Sequence, residues 1–430
     1  SAVGTTRTAI DVGNRLGRGI EQRACTPEAF GISRSGGMVM KVLCLGGGGR
    51  ICRESILDLV KFSEFTCITV ADVDIHAAES VGQWLDDPRV DVVQVDVRDE
   101  RKTVNLMREY DVVMDGLPIS LNDLSTARIA AAKVNGINLN GMSNEWDFDS
   151  AVKEAGRVVV PGFGMTPGIT NLMAMHAANQ MDTVNVVRCS HGAFRPIAFS
   201  QAIAETTRIE YDPELSSRIV FEDGVLVQVP PFSRPLDITL PEPYGTHTQY
   251  IIPHPEPVTL SQTLASKGIR LVEARGTWPP KNMRLIQAMH EWGILRNDQV
   301  QVGDQKVGVL DTIFAHCLQS PEGKQTELYG YALHVEVIGV RSGQSVRHIL
   351  THTHPPSDGS VDDWSGLRAY TRCVGIPMSI GAQMIGSGHV RAKGVVAPEQ
   401  LFQPEAVFEE MKKRDILVHQ EVQVGWTETG

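Results

Sequence analysis

A short apolar run, Lys41-Val-Leu-Cys-Leu45, meets four consecutive glycines, Gly46 to Gly49, and then Cys52, Ile56, Leu59 and Val60 recur at helical spacing. The order is strand, tight glycine turn, helix. Further strand-like runs follow at residues 65–71, 92–95, 111–114, 137–139 and 158–160, most of them separated by a helix-length segment. Parallel neighbours need crossover connections, so six such runs with helices between them predict a parallel sheet covered on both faces. The expected class is α/β, opening with a doubly wound Rossmann sheet.

The glycine turn carries chemistry as well as geometry. Backbone N–H groups at the start of the first helix can approach a dinucleotide pyrophosphate only where side chains do not block the way. Gly46 and Gly48 fill the first two positions of a G-x-G-x-x-G fingerprint, and the third falls on Ile51, so close packing of helix on strand must be achieved differently. Gly49, Arg50 and Ile51 complete the candidate cofactor turn. Asp72 ends the second run about 26 residues after Gly46, where a carboxylate can accept from the adenosine ribose and would repel a 2′-phosphate. This favours NAD, with NADP as the alternative cofactor and Asp74 as the alternative acid. A bare glycine cluster is also often only a flexible turn, and strand-end aspartates are common helix caps. Asp96-Val97 ends the third run and Gly116-Leu117-Pro118 follows the fourth, and the topology puts both along the carboxyl edge of the sheet.

The chain has 430 residues, enough for two domains, and a formal charge of −11 without a Lys/Arg block, which disfavours nucleic acid as a partner. Seven cysteines are scattered, odd in number and without C-x-x-C pairs, so neither a zinc ribbon nor a disulfide framework is expected and a cytoplasmic setting fits. No apolar run approaches the roughly 18 to 20 residues of a membrane-spanning helix. Residues 1–37 are polar and read as a flexible extension. The expected division is 38–165 for the dinucleotide-binding part, 166–374 for substrate binding and dimerisation, and 375–430 for a C-terminal segment.

Pro161-Gly-Phe-Gly-Met-Thr-Pro-Gly168 closes the alternating series. Thr166 and Pro167 predict an N-cap and first helical residue, leading a helix of about 14 residues through Met175 and Ala178. Beyond Met181 strands dominate: residues 184–188, a hairpin of 219–221 with 225–229, 269–274, and a longer pair, 331–340 with 346–352. Prolines between residues 230 and 257 predict a long ordered loop, 375–385 reads as a helix, and a terminal amphipathic helix carries Phe408 and Met411. His348, His352 and His354 would share one strand face, but no carboxylate completes a metal site, and none is expected.

Val42-Leu-Cys-Leu-Gly-Gly-Gly-Gly49, Asp115-Gly-Leu-Pro118, Pro161 to Gly168 and Gly394-Val-Val-Ala-Pro-Glu399 together resemble signatures of the saccharopine dehydrogenase family, which includes lysine 6-dehydrogenases. The resemblance spans the chain from Met40 to about Val418. It implies an N-terminal Rossmann domain, a second α/β domain on a mixed sheet, a C-terminal segment returning to the first domain, and a homodimer. It also implies hydride transfer between a nicotinamide and a carbon bearing nitrogen in a small amino acid or amine substrate.

Such chemistry needs a cation for the substrate carboxylate, and a planar guanidinium suits it. Arg195 and Arg275 are the candidates. It also needs a polar group at the reacting nitrogen. His254 with Glu256 could act as the base, with Tyr250 and His191 as alternates, and Gly164 and Thr166 would line the substrate end. Oxidation of a lysine-like substrate is the leading expectation. The alternatives are reductive condensation of an amine with an aldehyde or oxo acid, as in polyamine or opine-like synthesis, and non-catalytic sensing of the pyridine nucleotide.

Overall fold

The computed structural model describes residues 40–296, 298–355, 364–388 and 390–425. The expected extension over residues 1–37 lies outside them. The first half alternates β1 (Lys41–Leu45), α1 (Cys52–Phe62), β2 (Cys67–Asp72), α2 (Ile75–Leu85), β3 (Val90–Gln94) and α3 (Glu100–Met107). It continues with β4 (Val112–Asp115), α4 (Asn122–Ala132), β5 (Asn135–Asn138), α5 (Asp149–Glu154), β6 (Val158–Val160) and α6 (Ile169–Ala178). The second half holds β7 (Thr183–Phe194), α7 (Gln201–Tyr211), β8 (Ile219–Glu222), β9 (Val225–Gln228), β10 (Leu236–Leu240), β11 (Gly245–Ile251), α8 (Glu256–Thr263) and β12 (Leu271–Thr277). After α9 (Pro280–Glu291) come β13 (Gln299–Val302), β14 (Gln305–Gly308), α10 (Val309–Gln319), β15 (Gly330–Arg341) and β16 (Gln344–His354). The chain ends through α11 (Arg368–Gly386), β17 (Gly394–Val395), α12 (Pro398–Leu401), α13 (Pro404–Lys412) and β18 (His419–Val424).

Seven parallel strands form the first sheet in the order β17-β6-β5-β4-β1-β2-β3, six of them the runs of the alternating pattern. Val42 to Leu45 are buried because helices cover both faces, which is why this strand is an apolar run and not an alternation. Asp74 and Asp99 cap α2 and α3, accepting from backbone N–H groups of the first turn. The seventh strand, β17, comes from the C-terminal segment and pairs with β6.

The second sheet is mixed and runs β10-β11-β12-β7-β15-β16-β18, with β8 attached to β12 and β9 to β8. Only its β12–β7 pairing is parallel. Several expectations need correction here. The proline-rich stretch is no long loop: it forms the antiparallel hairpin of β10 and β11 and then the start of α8. Its prolines stand before, between and after the strands or in the first turn of α8, where a missing N–H breaks no ladder. The expected strand at 184–188 continues to Phe194, so His191 sits on a central strand. β3 ends at Gln94, leaving Asp96 and Val97 in the loop beyond it. The terminal strand β18 escapes sequence reading because its mostly polar side chains lie exposed at a sheet edge, where it pairs with β16 through the backbone ladder and through Gln420–His348 and Gln423–Arg347 contacts.

The helix after residue 161 also begins later than expected. Gly168, with φ +116°, stands at the N-cap of α6, and its N–H donates to Asn171 Oδ1. A Cβ at Gly168 would lie 2.5 Å from the Gly164 carbonyl oxygen, so the turn closes only with glycine there. Thr166 is therefore not a cap, and its hydroxyl is available to other partners.

The two sheets are joined across α1. Its buried Glu54 takes two hydrogen bonds from Arg368 of α11, 2.9 and 3.0 Å, and one turn later buried Asp58 accepts from Ser379 at 2.7 Å, Gln383 at 3.2 Å and Arg414 Nε at 2.7 Å. Gly375 lets α11 approach closely, because a Cβ there would stand 2.7 Å from the Ile51 carbonyl oxygen. Breaking a buried ion pair from one side leaves an uncompensated charge. Arg414→Ala is expected to lower the unfolding free energy by about 3 to 5 kcal/mol. Lys413→Ala, which removes an exposed pair with Glu410, should cost at most about 1 kcal/mol. Urea unfolding followed by tryptophan fluorescence checks the contrast.

Candidate functional site

At the carboxyl edge of the first sheet, the glycine turn is shaped by close backbone approach. Gly46 has φ +65°, and a Cβ on it would lie 2.9 Å from the Gly116 carbonyl oxygen; one on Gly48 would lie 2.7 Å from Ala77 Cβ. Gly48 N–H donates to Asp72 Oδ2 and Asp74 N–H to Asp72 Oδ1, both at 3.0 Å, so Asp72 holds the turn from below. Gly49 N–H closes the turn on the Gly46 carbonyl. The backbone N–H groups of Arg50 and Ile51, at the start of α1, donate to no described residue and suit an anionic pyrophosphate. Close helix-to-strand packing, which Ile51 was expected to hinder, is made by Cys52: its side chain is the one a Cβ on Gly116 would meet, at 3.1 Å.

Gly46, Asp72, Asp96, Val97, Arg98 and Leu117 line one small cavity along this edge. Asp74 does not share it and instead caps α2. The Gly116-Leu117-Pro118 turn is anchored by buried Asp115, which accepts from Leu117 N–H at 3.0 Å, Asn122 Nδ2 at 2.9 Å and Ser125 Oγ. Asp115 was not singled out by residue type, although it opens the Asp115-Gly-Leu-Pro118 motif. These groups fit a dinucleotide: a cradle that side chains would fill, free donors at a helix start, and carboxylates at the strand ends.

The same Gly116 to Pro118 turn forms one wall of a second cavity of about 140 Å³. Ile51, Thr166, His191, Arg195, Glu210, His254, Trp278, Tyr331 and Tyr370 line the remainder, so both halves of the chain contribute. His254 lies on the segment between β11 and α8, and Glu256 is the first residue of α8. His254 Nδ1 is 3.3 Å from Glu256 Oε2. Thr166 Oγ1 and Thr170 Oγ1 donate to Glu256 Oε1 at 2.9 and 3.0 Å. His254 Nε2 is engaged by none of them and is the ring nitrogen left for a ligand. His254 also borders a larger, more open cleft lined by Met142, Trp146, Val258 and Gln262.

Burial opposes charge on His254, but the Glu256 carboxylate beside it, with Glu210 further off, more than compensates and holds its pKa above the ordinary imidazole value. The same pairing holds Glu256 below the usual carboxylate range in spite of burial. His191 stacks on His254 with ring centroids 5.7 Å apart and meets the opposite fate: burial, then the neighbouring His254, push it down to about 3. It is a neutral ring wall at any working pH. Behind Glu256, Glu399 accepts from Asn171 at 3.0 Å and is pushed up to about 7 by burial.

Thr166, His191, Arg195, His254 and Glu256 are thus gathered at one place. Gly164 supports it indirectly, donating its N–H to the Pro167 carbonyl. Two candidates are not brought there. Tyr250, on β11, packs on Phe232 and accepts from Gln287 at 3.0 Å. Arg275, on β12, is engaged by both oxygens of Glu273 at 2.8 and 3.0 Å, because residues two apart on a strand share a face. That spacing was readable in the sequence. Glu210, Trp278, Tyr331 and Tyr370 were missed; the only signal was helical spacing of Ala202, Thr206 and Glu210.

The histidine trio does share a face of β16, but the face is buried. His352 and His354 meet a partner that spacing did not reveal, Cys373 of α11, with their ligand-type atoms all within 4.8 Å. His352 Nδ1 binds the Leu417 carbonyl oxygen and its Nε2 is 3.7 Å from Cys373 Sγ. Burial first, then His352 and the Arg372 charge nearby, hold His354 well below the ordinary imidazole value. Among the described residues no helix is long and apolar enough to cross a membrane.

Residues 42–160 match the saccharopine dehydrogenase NADP binding domain, and residues 164–417 the saccharopine dehydrogenase C-terminal domain. A carboxyaminopropylagmatine dehydrogenase of Synechocystis sp. is 23% identical over 390 residues, covering 84% of this chain and 92% of that protein. The mitochondrial α-aminoadipic semialdehyde synthase of Bos taurus is 22% identical over 461 aligned positions, covering 90% of this chain and 48% of that one, so the chain spans about half its length. Apo saccharopine dehydrogenase (L-Glu forming) from Saccharomyces cerevisiae shares the fold, with a TM-score of 0.67 at 14% identity over 89% of this chain and 100% of that one. With both domain families matched in sequence order over a nicotinamide-type cradle and a joint cavity, the chain belongs to the saccharopine dehydrogenase family of oxidoreductases.

Proposed function

We propose that this protein oxidises or forms a C–N bond of an amino acid or amine, with His254 exchanging the proton at the reacting nitrogen, Arg195 binding a substrate carboxylate, and NAD preferred over NADP. The observation that carries the reading is that His254, paired with Glu256 and Thr166, lines the same cavity as the Gly116 to Pro118 turn and Arg195. A nicotinamide bound along that edge would supply the two-electron acceptor or donor. The walls His191, Trp278, Tyr331 and Tyr370 would keep bulk water from the reacting carbon. The Synechocystis relative's name, a dehydrogenase of carboxyaminopropylagmatine, is consistent with C–N chemistry, and both directions remain part of the reading. Arg195 in the cavity also speaks against a purely sensing role, which would need no such cation. The described cysteines are free thiols, in keeping with a cytoplasmic setting.

In the oxidative direction His254 must be neutral to accept a proton, and Glu256 raises its pKa. Activity should therefore climb with pH through a group above the ordinary histidine value. Glu256→Gln removes the charge that raises it, so the inflection should move to lower pH, while His254→Ala should lower kcat about 10²- to 10⁴-fold. Reduced-nicotinamide absorbance with lysine, saccharopine, ornithine, agmatine and diamines, across pH, measures both. An unmoved inflection in Glu256→Gln would assign the titration elsewhere.

Cofactor preference is tested at Asp72, whose carboxylate borders the cavity at the end of β2. Asp72→Ser should weaken binding of NAD by about ten-fold more than that of NADP, because the charge that disfavours a 2′-phosphate goes with the ribose acceptor. Fluorescence titration with both reduced cofactors reads the ratio. Equal loss for the two would argue that Asp72 only supports the glycine turn.

A further inference from the structure

Two opposite charges stand in the cavity without being paired to one another. Glu210, near the end of α7, is nine-tenths buried, and its carboxylate has neither a hydrogen bond nor an ion pair with any described residue. Burial pushes its carboxyl above the ordinary range although Arg195 and His254 are near. Arg218 comes close, but its Nη2 donates to the Glu210 carbonyl oxygen, not to the side chain. Arg195 is buried as well, and its guanidinium is held by neutral groups: Nη1 donates to the Pro196 and Ile197 carbonyl oxygens at 3.0 and 3.3 Å, and Nη2 to Thr207 Oγ1 at 3.3 Å. The rings of Trp278 and Tyr370 flank it at 5.1 and 5.6 Å.

Buried Arg275 and Arg414 are matched directly to acids, Glu273 and Asp58, whereas buried Arg218, like Arg195, has no acid in contact and donates to the Glu210 and Asp212 carbonyl oxygens. An unmatched buried charge is costly, so two of opposite sign kept on one cavity wall call for a ligand that meets both. Both are fastened to the same rigid element. Ala202, Ile203, Thr206 and Glu210 are the face of α7 that lines the cavity, and Thr207 of that helix holds Arg195. His254 already has Glu256 as its counter-charge. Glu210 has no cation in contact, only Arg195, His254 and Arg218 at longer range, which separates its task from that of the His254–Glu256 pair.

We infer that Glu210 is a specificity-determining residue that binds a second, non-reacting cationic nitrogen of the substrate, an ammonium or a guanidinium, beside the carboxylate bound by Arg195. This rests on the reading of the cavity as the substrate site. The substrate class is then an amine with a fixed positive charge away from the bond that reacts.

Calorimetric titration of the full chain, saturated with NAD, tests it with two ligand pairs that differ only in that cation: L-lysine against 6-aminohexanoate, and agmatine against pentylamine. The cationic member of at least one pair should bind about ten-fold or more tightly than its partner. Preference in the lysine pair identifies an ammonium, and preference in the agmatine pair a guanidinium. Glu210→Gln should erase the preference while leaving the weaker partner's affinity within about two-fold, and Glu210→Asp should keep part of it. Equal binding of both members, binding of neither, or a preference that survives in Glu210→Gln overturns the inference. A folding defect in the Gln variant would appear in its melting curve, and the Asp variant then decides: loss of the preference with the charge retained and the fold intact also overturns it. Turnover of the same amines is read separately. Turnover with a KM unchanged in Glu210→Gln removes Glu210 and leaves the C–N reading standing, whereas Glu210-dependent binding without turnover in either direction removes the C–N reading alone.

Discussion

The contact on which the site depends is the seam between α1 and the C-terminal helices. Glu54 and Asp58 are one helical turn apart on a buried face, where carboxylates would be strongly destabilising without partners, and the partners come from residues more than 300 positions later. This seam carries function because α1 begins at the glycine turn. Ser55 donates to the Gly375 carbonyl oxygen at 2.7 Å, which locks α11 against the first turn of α1. Tyr370 and Val374, on the same helix, then line the cavity opposite Gly116 and Thr166. The glycine turn and the cavity wall are thereby indexed to each other by one packed and charged interface.

Within the cavity, burial is common to every titrating group, yet the groups move in different directions. His254 and His191 are stacked and equally enclosed, but only His254 has a carboxylate beside it, so one imidazole is raised and the other suppressed. The carboxylates divide the same way. Glu256 is lowered by its pairing with His254 and by the Thr166 hydroxyl, while Glu210 and Glu399, without a cationic partner in contact, are raised by desolvation. The contrast separates the paired His254 and Glu256 from a neutral ring wall within a few ångströms, and it follows from which neighbours are present, not from residue type.

Much of the first half was legible. Apolar runs, helix-length spacers and the glycine turn are local signals, and the parallel order follows from them because crossovers permit little else. The proline-flanked His254 and Glu256 were also readable as a pair, two residues apart and beside a helix start. Less legible was the stretch around them, where prolines marking the ends of β10, β11 and α8 imitate a loop. Thr166 was identified for the wrong local reason: it is no helix cap, and its hydroxyl reaches Glu256, 90 positions away.

The sequence by itself determined the alternating α/β order, the tight glycine turn between β1 and α1 and the family, since each is written in contiguous residues whose backbone preferences act locally. Only the tertiary structure placed Arg195 and not Arg275 in the cavity, gathered Glu210, Trp278, Tyr331 and Tyr370 around it, and brought Cys373 to His352 and His354. The physical reason is that a charge acquires its role from what lies beside it in space. Arg275 meets a carboxylate on its own strand, whereas Arg195 meets carbonyl oxygens, the Thr207 hydroxyl of α7 and the faces of Trp278 and of Tyr370 on α11.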